Sequence, residues 1–151
     1  MKLVVDANIL FSFFKKGSAT RELILDPELK YDLELFAPKY VLEEVGKHKD
    51  EICSKFGLLP QDFDIMFSSL PLFIKIVPRD LFERFVPKAE KILSPHLKDV
   101  PYVALLLFFK SNGHKIGLWS NEKRLKKKLE KYVIEVFSTS DLISFLSEAR
   151  P

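Results

Sequence analysis

Asp6, Glu44, Asp99 and Glu122 are the residues of this chain whose types and positions could do chemistry. Asp6 stands among Leu3, Val4, Val5, Ile9, Leu10 and Phe11. An unpaired charge there would cost several kcal/mol, roughly, so Asp6 must be paired, hydrogen-bonded, metal-bound or held beside a cleft. Asp99 directly precedes VPYVALLLFF, a run that is apolar nearly all round. Glu122 follows the run KIGLW through Ser120 and Asn121. At ~100° per residue, Val41, Leu42, Val45, Ile52 and Phe56 share one helix face, from whose centre Glu44 lies roughly 100° and Glu43 roughly 160°. Glu44 therefore flanks a cleft rim and Glu43 meets solvent. The chemistry open to such acids is hard-cation binding. Mg²⁺ or Mn²⁺ takes a few carboxylate oxygens, with water and substrate phosphate completing its shell, and can activate water for phosphoryl displacement. Repulsion within an acid cluster raises its pKa values until a cation relieves it.

Each acid has a plainer reading when taken alone. Asp6 could be a strand-end residue bonded to the next helix's amides, Asp99 an N-cap, and Glu44 and Glu122 solvated helix residues. The deciding question is whether the elements bring the four together.

Five strand-length runs rich in Val, Ile, Leu or aromatics lie at 2–6, 33–37, 73–77, 115–119 and 133–137. Segments of helical period fall between them at 8–16, 19–25, 39–56, 61–69, 79–93, 100–112, 121–131 and 141–149. Gly17 ends the first helix, Pro38 opens the third, Gly57 closes it, and Ser140-Asp141 supplies caps for the last. Alternating strands and helices predict a three-layer α/β/α sandwich with a parallel sheet and right-handed crossovers. Ligands of such sheets bind beyond the carboxyl ends of the strands, where strand order reverses. Asp6 and Glu122 follow strand ends, while Glu44 and Asp99 stand near helix starts.

The chain has 151 residues, 47% hydrophobic and 30% charged, the balance of one ordinary globular domain over 1–151. No stretch approaches the ~20 apolar residues of a membrane span, and the N-terminus lacks the features of a signal peptide. A cytoplasmic location is expected. The single cysteine, Cys53, fits a small buried position and is given no chemical role. His48, His96 and His114 are scattered without metal-ligand spacing and read as structural or surface residues. The net charge of +3 is compatible with a polyanionic partner without requiring one.

The blocks VVDANIL, PKYVLEEV, KDVPYVALLL, LWSNEKRL and VFSTSDLISFL, in this order over nearly the whole chain, resemble those of the PIN-domain ribonucleases. The first is similar to the family's first acid, Asp6, with an asparagine, Asn8, two residues on. PKYVLEEV is similar to its helix with a catalytic Glu before an apolar residue, which favours Glu44. KDVPYVALLL is similar to its third acid, Asp99, before a central helix. Where the family usually reads Trp, Ser or Thr, Gly, Asp, this chain has Trp119, Ser120, Asn121, Glu122, so the acid is kept but is one methylene longer. The resemblance implies a five-stranded parallel sheet and metal-dependent endonuclease activity on RNA. Asp6, Glu44, Asp99 and Glu122 would hold Mg²⁺ or Mn²⁺, supported by Asn8, Ser120 and Asn121. It also implies a frequent homodimer and a role as a toxin neutralised by a cognate antitoxin or as an RNA-processing enzyme, between which the sequence does not choose.

The run KRLKKKLEK (123–131) predicts an amphipathic helix with Leu125, Leu129 and Tyr132 facing inward. Its cations are either a solvated face or, at Lys123, Arg124, Lys126 and Lys127, a guide for the RNA backbone. A phosphorylatable receiver domain would need an acidic pair after the first strand, and Ala7 follows Asp6. A phosphatase of the haloacid dehalogenase type would need a second Asp at position 8, where Asn8 stands. The remaining rival is a degenerate PIN-like domain that binds RNA or a protein partner without cutting.

Overall fold

The computed structural model describes residues 1–25 and 31–149; of the expected domain 1–151, residues 26–30 and 150–151 lie outside that description. Strands β1 (Lys2–Val5), β2 (Glu34–Pro38), β3 (Lys75–Val77), β4 (Ile116–Trp119) and β5 (Val136–Phe137) form one parallel sheet in the order β3-β2-β1-β4-β5. Leu3, Val4 and Val5 are all fully buried, although successive strand residues point to opposite faces. Both faces of the sheet are therefore covered, and the fold is the three-layer α/β/α sandwich expected.

Strand order reverses at β1. The chain builds β2 and β3 on one side, then returns to pair β4 with β1 in the register Val5↔Trp119. The carboxyl ends of β1 and β4 thus flank the crevice of the fold.

The helices among the described residues are α1 (Ala7–Phe13), α2 (Ala19–Leu25), α3 (Tyr40–Lys47), α4 (Lys49–Phe56), α5 (Pro60–Phe73), α6 (Val86–Leu93), α7 (Val100–Ser111), α8 (Lys123–Glu130) and α9 (Thr139–Ala149). None is long and apolar enough to cross a membrane. In α7, Val100 and every residue from Tyr102 to Leu107 are buried, and the helix packs against β1, β2 and β4. It is the central helix that its apolar sequence predicts.

Several boundaries differ from the periodicity reading. The helix expected over 39–56 breaks at His48, whose φ of −98° and ψ of 16° separate α3 from α4. α5 continues beyond the expected 69 and through Pro71 in its last turn, where the missing N–H removes a single bond; the C-cap residue Ile74 closes the helix with its N–H on the Leu70 carbonyl at 3.0 Å. β3 is shortened accordingly. Residues 79–85 form two 3₁₀ turns rather than helix, and α6 begins only where Pro87 can occupy the first turn. α9 starts at Thr139, because the cap is Ser138: its Oγ accepts the Asp141 N–H at 3.0 Å while Asp141 accepts the Ser138 N–H at 2.9 Å. This reciprocal box replaces the expected Ser140-Asp141 cap. Tyr132, expected inward on α8, lies beyond that helix's end and is half exposed.

Gly117 lets β5 come close to β4. A Cβ at this position would lie 2.9 Å from the Phe137 ring and 3.2 Å from the Glu135 carbonyl, closer than side chains pack. Gly117→Ala is expected to lower stability by about 1–3 kcal/mol in urea unfolding, and Phe137→Leu in the same chain should recover part of the loss. An unchanged unfolding midpoint would show that the ring moves aside freely.

Candidate active site

Asp6 leaves the end of β1 with its backbone N–H on the Trp119 carbonyl at 3.3 Å, so the first acid is fixed to the neighbouring strand. It is also the N-cap of α1, and its Oδ1 accepts the Ile9 N–H at 3.0 Å. Ser120, buried at the end of β4, hydrogen-bonds the Asp6 carboxylate, while its Oγ accepts the Glu122 N–H at 3.2 Å. One hydroxyl therefore ties the first acid to the backbone that carries the fourth.

Glu44 enters from α3. It is 9% exposed and Glu43 is exposed, as the helix phase requires. The Tyr102 hydroxyl donates to Glu44 Oε1 at 2.6 Å from the first turns of α7. Burial first, and next the carboxylate it binds, hold this phenol protonated far above its ordinary range. The bond therefore keeps its donor at any ordinary pH. Asp99 stands at the N-cap of the same helix, but its side chain makes no capping bond. The plainer reading of Asp99 as a cap thus fails on geometry, whereas that of Asp6 holds alongside its place in the crevice.

Glu122 precedes α8 as its N-cap residue, also without a side-chain capping bond. Its Oε1 accepts from Arg124 Nη2 at 3.0 Å, and Arg124 Nη1 reaches His96 Nε2 at 3.3 Å. Asn121 faces away from the acids: its Oδ1 accepts the Thr139 N–H at 2.8 Å and so caps α9. Asn8 is exposed and makes no side-chain hydrogen bond among the described residues. On α8, Leu125 and Leu129 are buried. Lys126 pairs with Asp141 at 3.3 Å, and Lys128 donates to the carbonyls of Leu93 and Ser94 at 2.8 Å each. Lys123 and Lys127 are exposed.

The four acids share one electrostatic environment. Burial, the larger cause, raises the Asp6 pKa to about 6, with Asp99 and Glu122 adding to the rise and its hydrogen bonds opposing it. Asp99 is raised by burial and then by Glu122 and Glu44, with Lys98 and Arg124 opposing. The donor set is four carboxylates and suits a hard cation by its chemistry. Among the described residues, no three His, Cys, Asp or Glu side chains are yet close enough to chelate an ion. Glu44 and Glu122 are each held by a hydrogen-bond donor of the protein.

Two of these residues escaped the sequence reading. Tyr102 carries the lone hydroxyl in an otherwise aliphatic stretch of α7, and asking where that buried hydroxyl finds an acceptor would have found it. His96 has no metal-ligand spacing, yet it touches Arg124 from 28 residues away in the chain; no local pattern announces that contact.

The Asp6 shift has a defined sign. The folded pKa of about 6 lies above the ordinary 3.8, so the stabilisation is complete below pH 3.8 and is lost as pH rises through about 6. That difference corresponds to about 3 kcal/mol at most. Asn at this position can still accept the Ile9 N–H. Asp6→Asn is therefore expected to be more stable than the parent at pH 7.5 in EDTA by about 1–3 kcal/mol, the advantage fading by pH 4. A pH-independent difference in urea midpoints would refute this.

Residues 4–135 match the family model of the PIN domain, a span that holds all four acids and runs from β1 to the turn before β5. No curated protein matches the chain. PIN domains are in general nucleases and typically use divalent metal ions. With the fold, the strand order and the matched span in agreement, the chain belongs to the PIN domain family.

Proposed function

We propose that the chain is a metal-dependent endoribonuclease that hydrolyses RNA phosphodiester bonds at the crevice between β1 and β4. The observation that carries this reading is the mutual electrostatic influence of carboxylates from four separate elements in a nuclease-family fold: Asp6 is raised by burial and by Asp99 and Glu122, and Asp99 by burial and by Glu122 and Glu44. Asp6, Glu44, Asp99 and Glu122 would hold Mg²⁺ or Mn²⁺. When bound, the ion supplies a polarised water and neutralises charge on the scissile phosphate.

The chain's own groups do the positioning. Ile9 N–H and the Ser120 hydroxyl fix the Asp6 carboxylate. Tyr102 occupies one oxygen of Glu44 and leaves the other available. Asp99 keeps its carboxylate without a capping bond to surrender. Of the cations expected to guide RNA, Lys126 is engaged with Asp141 and Arg124 with Glu122 and His96, so the exposed Lys123 and Lys127 are best placed for backbone phosphates. In the cell, such an enzyme would act in the cytoplasm as a toxin held by a cognate antitoxin or in RNA processing, as a monomer or homodimer.

One observation favours the rival reading of a PIN domain that binds RNA or protein without cutting: the fourth acid is occupied by Arg124. Cleavage assays on matched RNA and DNA oligonucleotides with Mn²⁺, Mg²⁺ or EDTA separate the two.

Asp6→Asn and Asp99→Asn are each expected to lower metal-dependent cleavage by about 100- to 1000-fold, and Glu44→Gln far more than Glu43→Gln, which should stay within about twofold because an exposed charge does little. Wild-type rates from either aspartate variant would sink the nuclease assignment. For binding, Lys127→Glu should flatten the slope of log affinity against log salt by about one unit or less. Lys126→Glu should act mainly through the lost contact with Asp141, visible as lower stability.

A further inference from the structure

We propose that Arg124 is a phosphate-binding residue that also blocks the fourth carboxylate: it grips Glu122 while the crevice is empty of phosphodiester, and a backbone phosphate that takes the guanidinium frees Glu122 for the metal ion. The inference rests on the nuclease reading above and deepens it by coupling substrate to metal.

The geometry of the Arg124 contacts is unusual for its place in the chain. Residues two apart on a helix do not face each other. Arg124 meets Glu122 only because Glu122 stands outside α8, with φ −83° and ψ 108°, and because the guanidinium turns back over the helix start. Its second nitrogen is satisfied by His96, from the segment just before Asp99, so the fork spans the crevice mouth. The neighbouring Lys123 and Lys127 instead extend to solvent.

The partner chemistry follows from the fork. A guanidinium donates to carboxylate and phosphodiester oxygens alike, so Glu122 holds one of the donors, Nη2, that a substrate phosphate would take. The two tethers of the site also differ in permanence. Tyr102 is buried beside Glu44, whereas the Arg124 side chain is 59% exposed and that of Glu122 27%. An exposed ion pair is weak and exchanges readily with a competing anion. Glu122, with its additional methylene, can swing when released.

The test is a double-mutant cycle on Mn²⁺ binding, read by the electron paramagnetic resonance of free Mn²⁺ without RNA, in the wild type, Arg124→Gln, Glu122→Gln and the double variant. Arg124→Gln is expected to bind Mn²⁺ about two- to fivefold more tightly than wild type, and the gain should vanish in the Glu122→Gln background. In parallel, anisotropy of a labelled oligoribonucleotide should show weaker binding by Arg124→Gln that Arg124→Lys does not restore, since lysine keeps the charge but lacks the fork. Arg124 is exposed, so these variants fold, and melting curves check it. Unchanged or weaker Mn²⁺ affinity in Arg124→Gln overturns the inference while leaving the nuclease reading intact. So does a gain of equal size in the Glu122→Gln background, which would assign the effect to charge alone, or unaltered oligonucleotide affinity. No Mn²⁺ binding by any of the four proteins would overturn the metal reading and this inference with it.

Discussion

Crowding of partly desolvated carboxylates at the carboxyl ends of β1 and β4 is the constraint that the rest of the structure answers. Asp6 is 3% exposed and Asp99 7%, and each feels the charge of others in the group. Such a site opposes folding, and its cost is carried by the surrounding core: β1 buried on both faces and α7 buried almost all round. The tethers follow the same logic. Asp6 receives an amide and a hydroxyl, Glu44 a phenol, Glu122 a guanidinium. Among the described residues Asp99 has no side-chain hydrogen bond; its backbone is fixed by the 3₁₀ turn Leu97–Asp99 against the start of α7.

Much of the architecture was legible because it depends on periodicity, a local property of the chain. Alternation of strand-length and helix-length runs specified a parallel sheet, and the all-round apolar character of VPYVALLLFF specified a central helix. The phase of α3 placed Glu44 at the buried flank and Glu43 outside. Boundaries were less legible where a residue acts against its local preference. Pro71 sits within α5 at the loss of one helical bond, close enough to the helix end that the break is not propagated. His48 ends α3 although nothing in its type demands it. β5 contracts to Val136–Phe137, the residues in register with Leu118 and Trp119 of β4.

The acids were legible in the sequence, and their contacts were not. Sequence spacing puts four carboxylates near strand ends and helix starts; it cannot say what each one touches. Asn121 shows the difference. It stands beside Glu122 and reads as a supporting group, yet its amide is spent on the first N–H of α9, where it serves the packing of that helix against β5. Tyr102 and His96 show the converse, since both belong to the crevice through partners 58 and 28 residues away in the chain.

The departure at Glu122 acquires a physical meaning from these contacts. An aspartate at the N-cap of α8 would bring its carboxylate closer to the backbone, where the helix-start amides could claim it. The longer glutamate leaves those amides and reaches Arg124 instead. A hard cation needs several oxygens at short, nearly fixed distances, and three of the acids leave rigid elements whose side chains are packed or bonded in the interior. The fourth leaves a turn, on a longer stem, under an exposed and weak restraint. In the proposed metal site, rigidity in three arms would set the geometry, and freedom in the fourth would let charge enter and leave it. That division follows from burial: a buried tether such as Tyr102–Glu44 cannot exchange with solvent anions, whereas the Arg124–Glu122 pair at the crevice mouth can.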